Sequence, residues 1–231
     1  MEIDSEFGDA PIIDGYIDLS KNEWNTARKE KIDLDDLQGV DLWVMQNEIN
    51  LFISVQFDLQ NHEDNEFIGL IISNGSSTMS DEFIDAKIIQ FTNKTSNNFD
   101  YLDYHINNSV FLNDAIQNGN GAAKIEGIYS TYEFSIPINY GDENEEDVLL
   151  KLGNQYAFNI TLGQTPSYPS GIMKKNTVLI NIKLPITEEQ PLWDIIIYAL
   201  IIVIFSICGI LIGFYIIKIF RLKEKIERYK R

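Results

Sequence analysis

Residues 11–24 read PIIDGYIDLSKNEW and place three carboxylates, Asp14, Asp18 and Glu23, within ten positions. Carboxylate oxygens are hard donors, and Ca²⁺ takes about six to eight such ligands. A scaffold use competes with this one. Asp14-Gly15 is a turn pair, and Ser20-x-x-Glu23 has capping-box spacing, in which each side chain bonds the other's backbone N–H. Hydrolysis of a glycosidic bond needs two carboxylates about 5–9.5 Å apart, which a sequence does not reveal. The acidic runs DLDD (33–36) and DENEED (142–147) read as solvated charge. There is no G-x-S-x-G, no H-E-x-x-H and no phosphate-binding glycine loop. The single cysteine, Cys208, lies in an apolar run, so residues before that run have no thiolate metal or redox site. The residue types therefore point away from an enzyme.

That apolar run, Ile195 to Ile217, is 23 residues without a charge. About 20 apolar residues in a helix cross a bilayer core of roughly 30 Å, so the run predicts a single transmembrane helix. The segment after it, KIFRLKEKIERYKR (218–231), carries seven Lys or Arg against two Glu, a net +5. Glu188, Glu189 and Asp194 stand on the other side. Excess Lys and Arg stay on the cytoplasmic face, which puts the tail inside and the N-terminal domain outside the cell membrane. Trp193 and Tyr198 fall where an outer aromatic belt would lie.

The whole chain is −17; setting aside the tail's +5 leaves −22 on residues 1–217. That charge argues against nucleic acid or anionic lipid as the domain's partner. The first ten residues, MEIDSEFGDA, have neither the basic nor the apolar region of a signal peptide. Either a signal has been removed or missed, or the chain inserts by its C-terminal helix; the charge rule favours the outside reading. Gly209-x-x-x-Gly213 in the helix has the spacing for close helix–helix packing and a homodimer. N-x-S/T acceptor sites for N-glycans occur at Asn74, Asn93, Asn107 and Asn159.

The domain ahead of the helix reads as strands. Residues 49–57, 132–138, 156–162 and 178–184 alternate apolar and polar with period two. Residues 39–46 and 67–73 are apolar on both faces, as strands covered on both sides would be. Residues 83–92, 99–106 and 123–129 complete the set, with Asn-, Gly- and Ser-rich turns between. The fold class is all-β: an antiparallel β-sandwich of about ten strands, with one or two short helices, then one transmembrane helix. The short helices are expected after Ser20, carrying Trp24, and over residues 145–153. The organisation is an N-terminal segment (1–10), the sandwich (11–186), a linker (187–194), the membrane helix (195–217) and a basic tail (218–231).

The Asp-Gly turn, then Asp, then Trp ahead of VDLW and NEINLFISVQF, resembles the start of family 9 carbohydrate-binding modules and their DOMON-like relatives. YEFSIPI (132–138) and the pair GNQYAFNITLG and TVLINIKL are similar to later strands of the same family. The resemblance covers roughly residues 10–185. It implies a non-catalytic binding domain for carbohydrate or protein, with calcium in some members. It also implies aromatic stacking on sugar, where the family uses Trp. Trp24, Trp43 and Trp193 are assigned to packing or the membrane, so Tyr101, Tyr104, Tyr129, Tyr132 and Tyr168 are the candidate platform. DOMON-like relatives that bind b-type haem make a Met/His pair the rival reading, with Met45, Met79 and Met173 against His62 and His105. A structural subunit of a membrane complex is a further alternative. No cofactor is expected other than calcium at Asp14, Asp18 and Glu23.

Overall fold

The computed structural model describes residues 1–73, 83–140, 146–185 and 192–229; side chains of the terminal helix are described at 197, 200–223 and 226. Asn74, Met79, Glu188 and Glu189, and the side chains of Trp193, Asp194 and Tyr198, lie outside this set.

Residues Met1–Pro185 form one compact unit of two sheets. The strands are β1 (Glu2–Asp4), β2 (Glu6–Phe7), β3 (Arg28–Leu34), β4 (Leu37–Gln46), β5 (Asn50–Asp58), β6 (Phe67–Ser73) and β7 (Phe83–Asn93). Then follow β8 (Asn98–Asn107), β9 (Val110–Asn113), β10 (Asn120–Glu126), β11 (Tyr129–Pro137), β12 (Gln155–Gly163) and β13 (Ile172–Asn181). One sheet runs β1-β13-β12-β6-β7-β8-β9; the other runs β10-β11-β5-β4-β2, with β3 also paired to β4. Neighbours are antiparallel except β1 on β13 and β2 on β4, which are parallel.

The alternation seen in the sequence sets the core. Leu51, Ile53, Val55 and Phe57 of β5 face inward with Tyr132, Phe134 and Ile136 of β11, and meet Phe158, Ile160, Val178 and Ile180 from the other sheet. Every residue of β6 is buried, as its two-faced apolar run predicts. Its outward side is covered by the loop that carries Tyr168. β3 escapes sequence reading because RKEKIDL buries only Ile32 and Leu34; β1, β2 and β9 are too short to show a period.

Two helix expectations need correction. Residues 146–153 form no helix; the segment is irregular, and Val148 and Leu150 are buried in the core while Leu149 is exposed. Asp85 Oδ2 takes the Val148 N–H at 3.2 Å, which the side-chain spacing of a helix does not anticipate. The other helix is a single 3-10 turn, Leu19–Lys21, and its N-cap is Asp18, not Ser20. Asp18 Oδ1 accepts the Ser20 N–H at 3.0 Å, and Asn22 closes the turn in the left-handed region at φ 63°. An Asp cap two residues earlier removes the need for the capping box.

Residues Ile186–Arg231 form a second unit whose helix α1 spans Leu192–Tyr229. Within it, Leu200–Lys223 is long and apolar enough to cross a membrane, and none of that span is buried. Ser206 donates to the Ile202 carbonyl at 2.8 Å, which satisfies its hydroxyl inside the apolar stretch. A Cβ added at Gly209 or Gly213 would meet nothing within 4 Å.

Candidate functional site

The stretch from Pro11 to Trp24 is a strap across the outer face of the six-stranded sheet. Glu133, on β11, points outward from that sheet and is fully buried beneath the strap. Its carboxylate accepts the Asp14 N–H at 3.0 Å, the Gly15 N–H at 2.7 Å and the Trp24 indole N–H at 2.9 Å. Gly15 has φ +80°, and a Cβ there would sit 2.6 Å from the Ala123 carbonyl carbon, so only glycine lets the strap lie this close. Trp24 packs with Trp43, Met45 and Phe52, flanked by Ile13 and Ile17. It therefore covers a sheet face. Burial raises the Glu133 carboxyl to about 7; the three N–H donors pull the other way without offsetting it.

The strap does not assemble the expected calcium triad. Asp14 Oδ1 accepts the Tyr16 N–H at 3.0 Å, and Asp18 is held by Ser20 and by Lys21 at 3.1 Å. Glu23 joins neither of the two groups whose donor atoms lie close enough to hold a metal among the described residues, although both its oxygens are buried without a partner. Local capping geometry occupies the two Asp side chains, and this is the physical reason the triad fails.

The five tyrosines do not form one platform. Tyr132 is core: it stacks on Phe57, meets Phe91 edge-on and donates to Glu66 at 2.9 Å. Tyr101 faces inward and donates to the Asn118 carbonyl at 2.9 Å. Tyr104 and Tyr168 lie on the opposite, outward face of the seven-stranded sheet, with ring centres 6.1 Å apart and Phe111 edge-on to both. Tyr168 is only 7 % exposed there and pins its loop against Phe67. Tyr129 alone of the five is largely exposed, at 54 %. Period two sends Tyr101 and Tyr104 to opposite faces of β8, so the set could not converge.

The Met/His pair is likewise not brought together. Met45 is in the strap cluster, while His105 lies on β8 of the other sheet. His62 Nδ1 is 2.9 Å from Glu66 Oε2, and Met173 is exposed. Of the glycan acceptors, Asn93 and Asn107 are exposed. Asn159 faces out from the core but is half-buried, and the Thr161 hydroxyl of its acceptor motif is buried on the Gly69 carbonyl at 3.1 Å.

Two arrangements were not anticipated. The first is an ion cluster at the inner face of β7 and β8. Lys87, 1 % exposed, makes ion pairs with Asp103, Asp147 and Asp85, the last at 3.2 Å. Asp147 belongs to the acidic run read as solvated charge, yet its side chain is 4 % exposed. Burial pushes Asp85 up to about 7 and Asp103 up to about 8. Burial also works against the Lys87 ammonium, but the surrounding carboxylates outweigh it and hold its pKa above the ordinary lysine value. Beside this cluster His105 Nδ1 is 2.7 Å from Asp114 Oδ1.

The second is the part of the six-stranded sheet's outer face that the strap leaves open. The register lines up Lys124, Thr131, Gln56, Asp41 and Lys31 across five strands. The next row holds Glu126, Tyr129 and Asp58. The Gln56 amide donates to the Thr131 hydroxyl at 3.0 Å. Lys29 and Lys31 pair with Asp41 at 2.9 and 3.4 Å, and Lys124 pairs with Glu126 at 2.5 Å. Tyr16, 42 % exposed, borders the row with the Lys124 ammonium 4.9 Å from its ring centre.

No protein family profile and no curated protein matches the chain. Among solved structures it is similar to a family 9 carbohydrate-binding module from Caldicellulosiruptor kristjanssonii in complex with cellotriose. The identity is 12 %, the TM-score 0.46, and the match covers 80 % of this chain and 96 % of that one. A family 9 module from the same organism in complex with glucose matches at 11 % identity and TM-score 0.44, over 81 % of this chain and 100 % of that one.

Proposed function

We propose that this chain is a single-pass membrane protein that displays a non-catalytic recognition domain outside the cell, and that the open face of the six-stranded sheet takes a saccharide. One observation carries the reading: in a domain of strong negative charge, this face is locally neutral and hydrogen-bonding, and exposed rings border it. Lys29, Lys31 and Lys124 balance Asp41, Asp58 and Glu126 there. A balanced face favours an uncharged, hydroxyl-rich ligand over a polyanion or a basic peptide. Tyr129 and Tyr16 supply apolar rings with polar tips, against which a pyranose ring packs while the half-buried Gln56 amide, held by the buried Thr131 hydroxyl, meets its hydroxyls.

The test is a glycan array probed with the full chain in detergent micelles, beside the Tyr129→Ala and Tyr16→Ala variants. Saccharide binding that both variants weaken supports the face. Binding that neither variant changes, or no binding to any glycan, overturns it. Orientation is tested separately with external protease on sealed vesicles. Digestion of the domain with the tail protected fits display outside; a protected domain reverses the topology.

A further inference from the structure

We propose that His105, Asp114 and Glu146 form a binding site for one divalent transition-metal cation of the zinc type. This site is separate from the sheet face described above and does not depend on it. One donor atom from each residue lies within 4.8 Å of the others. They come from different parts of the chain: His105 from β8, Asp114 from just after β9, and Glu146 from the segment before β12. The Asp114 side chain is fully buried, and its Oδ2 is buried without a hydrogen-bond partner. Its other oxygen holds the His105 ring at 2.7 Å, and Glu146 Oε2 accepts the Ala115 N–H at 3.0 Å, so two of the donors are already oriented.

Charge points the same way. Asp85, Asp103, Asp114 and Asp147 also offer donor atoms within 4.8 Å of one another, and Glu146 stands beside them. Among the described residues, Lys87 is the ammonium that pairs with this group, through Asp85, Asp103 and Asp147; Asp114 has no ion pair with it. Protons on the raised Asp85 and Asp103 carboxyls offset part of this excess, and a cation beside Asp114 would offset the rest. The nature of the donors chooses which. An imidazole nitrogen with two carboxylate oxygens suits zinc or its neighbours, whereas calcium and magnesium take oxygen ligands. His105 keeps 21 % of its side chain exposed, which leaves a path for the ion from solvent.

The test uses the full chain, purified in detergent and stripped with a chelator. Zn²⁺ titrated by calorimetry should bind at one ion per chain, and Co²⁺ in its place should show the visible absorption of a nitrogen- and oxygen-ligated site. His105→Gln and Glu146→Gln should each weaken Zn²⁺ binding at least tenfold and alter the Co²⁺ spectrum, while a change at the exposed Glu48, Glu48→Gln, leaves both unchanged. Both ligand variants carry the change at partly exposed side chains, and a thermal melt of each without metal reports that it is folded. One outcome that overturns the site is Zn²⁺ binding unaffected by either variant. Another is no Zn²⁺ binding by the parent chain. A third is a preference for Ca²⁺ over Zn²⁺.

Discussion

The molecule buries carboxylates in two places, and it treats them differently. Under the strap, one carboxylate, Glu133, meets three N–H donors, and among the described residues no ion pair reaches it. At the inner face of β7 and β8, several carboxylates crowd around one ammonium, and Asp114 keeps a buried oxygen without a partner. The first centre is closed: its donors are backbone and indole groups fixed by the fold, and its product is a pinned N-terminal strap. The second is balanced only in part. Burial is the same in both, so burial alone does not separate a scaffold carboxylate from a ligand-binding one. The count of donors and charges does.

The contrast breaks most visibly at Lys87. Lys87→Met keeps the side-chain volume but leaves Asp85, Asp103 and Asp147 without their counter-charge. The expected loss is about 5 kcal/mol of stability, or failure to fold. Urea unfolding of the full chain in detergent checks this, and a loss below about 1 kcal/mol would mean that the cluster is far more hydrated than its exposure indicates. Glu133→Ala comes next. It strands three donors under the strap and is expected to cost about 3 kcal/mol. It should also open residues 11–24 to limited proteolysis, whereas Lys87→Met in conditions where it folds should not.

The closed centre also carries a pH signature. The Glu133 carboxyl lies near 7 when folded, raised by burial, against an ordinary value of 4.5. Below about 4.5 both the folded and the unfolded chain hold the proton, and Glu133 costs nothing. Between 4.5 and 7 only the folded chain holds it, so stability from this group falls as pH rises through that window. At about 1.4 kcal/mol per pKa unit, the fall is roughly 3 kcal/mol. Asp85 and Asp103 are raised in the same sense and add to the parent chain's slope, so Glu133→Gln should reduce it by the Glu133 share even though the variant is less stable throughout. Equal slopes would assign the pH dependence elsewhere. The smallest effect on the fold belongs to the open face: Tyr129→Ala should change stability by less than about 0.5 kcal/mol, because the ring is exposed. The same change is expected to lower saccharide affinity at least tenfold, so binding and stability separate there.

The sequence on its own determined a great deal. Period-two alternation fixes which side chains of β5, β11, β12 and β13 face the core, because successive side chains of an extended chain point to opposite sides. It likewise puts Tyr101, Asp103 and His105 on one face of β8. An uncharged run of 23 residues marks a helix long and apolar enough to cross a membrane, by length and composition alone. β3 stayed hidden because only two of its seven residues are buried, so its charge masked its period.

The functional geometry was decided by tertiary structure. Glu133 and Trp24 are 109 positions apart, and Lys87 and Asp147 are 60 apart. Alternation says that Glu133 faces away from the core; it does not say that a strap lies over it and turns a solvent position into a buried one. The acidic run at 142–147 reads as solvated for the same reason, until folding brings Asp147 onto Lys87 and Glu146 beside Asp114. A local pattern specifies the direction of a side chain, while its partner depends on which distant segment the topology lays against it. Charges act through space, so the protonation and the partners of these groups belong to the fold.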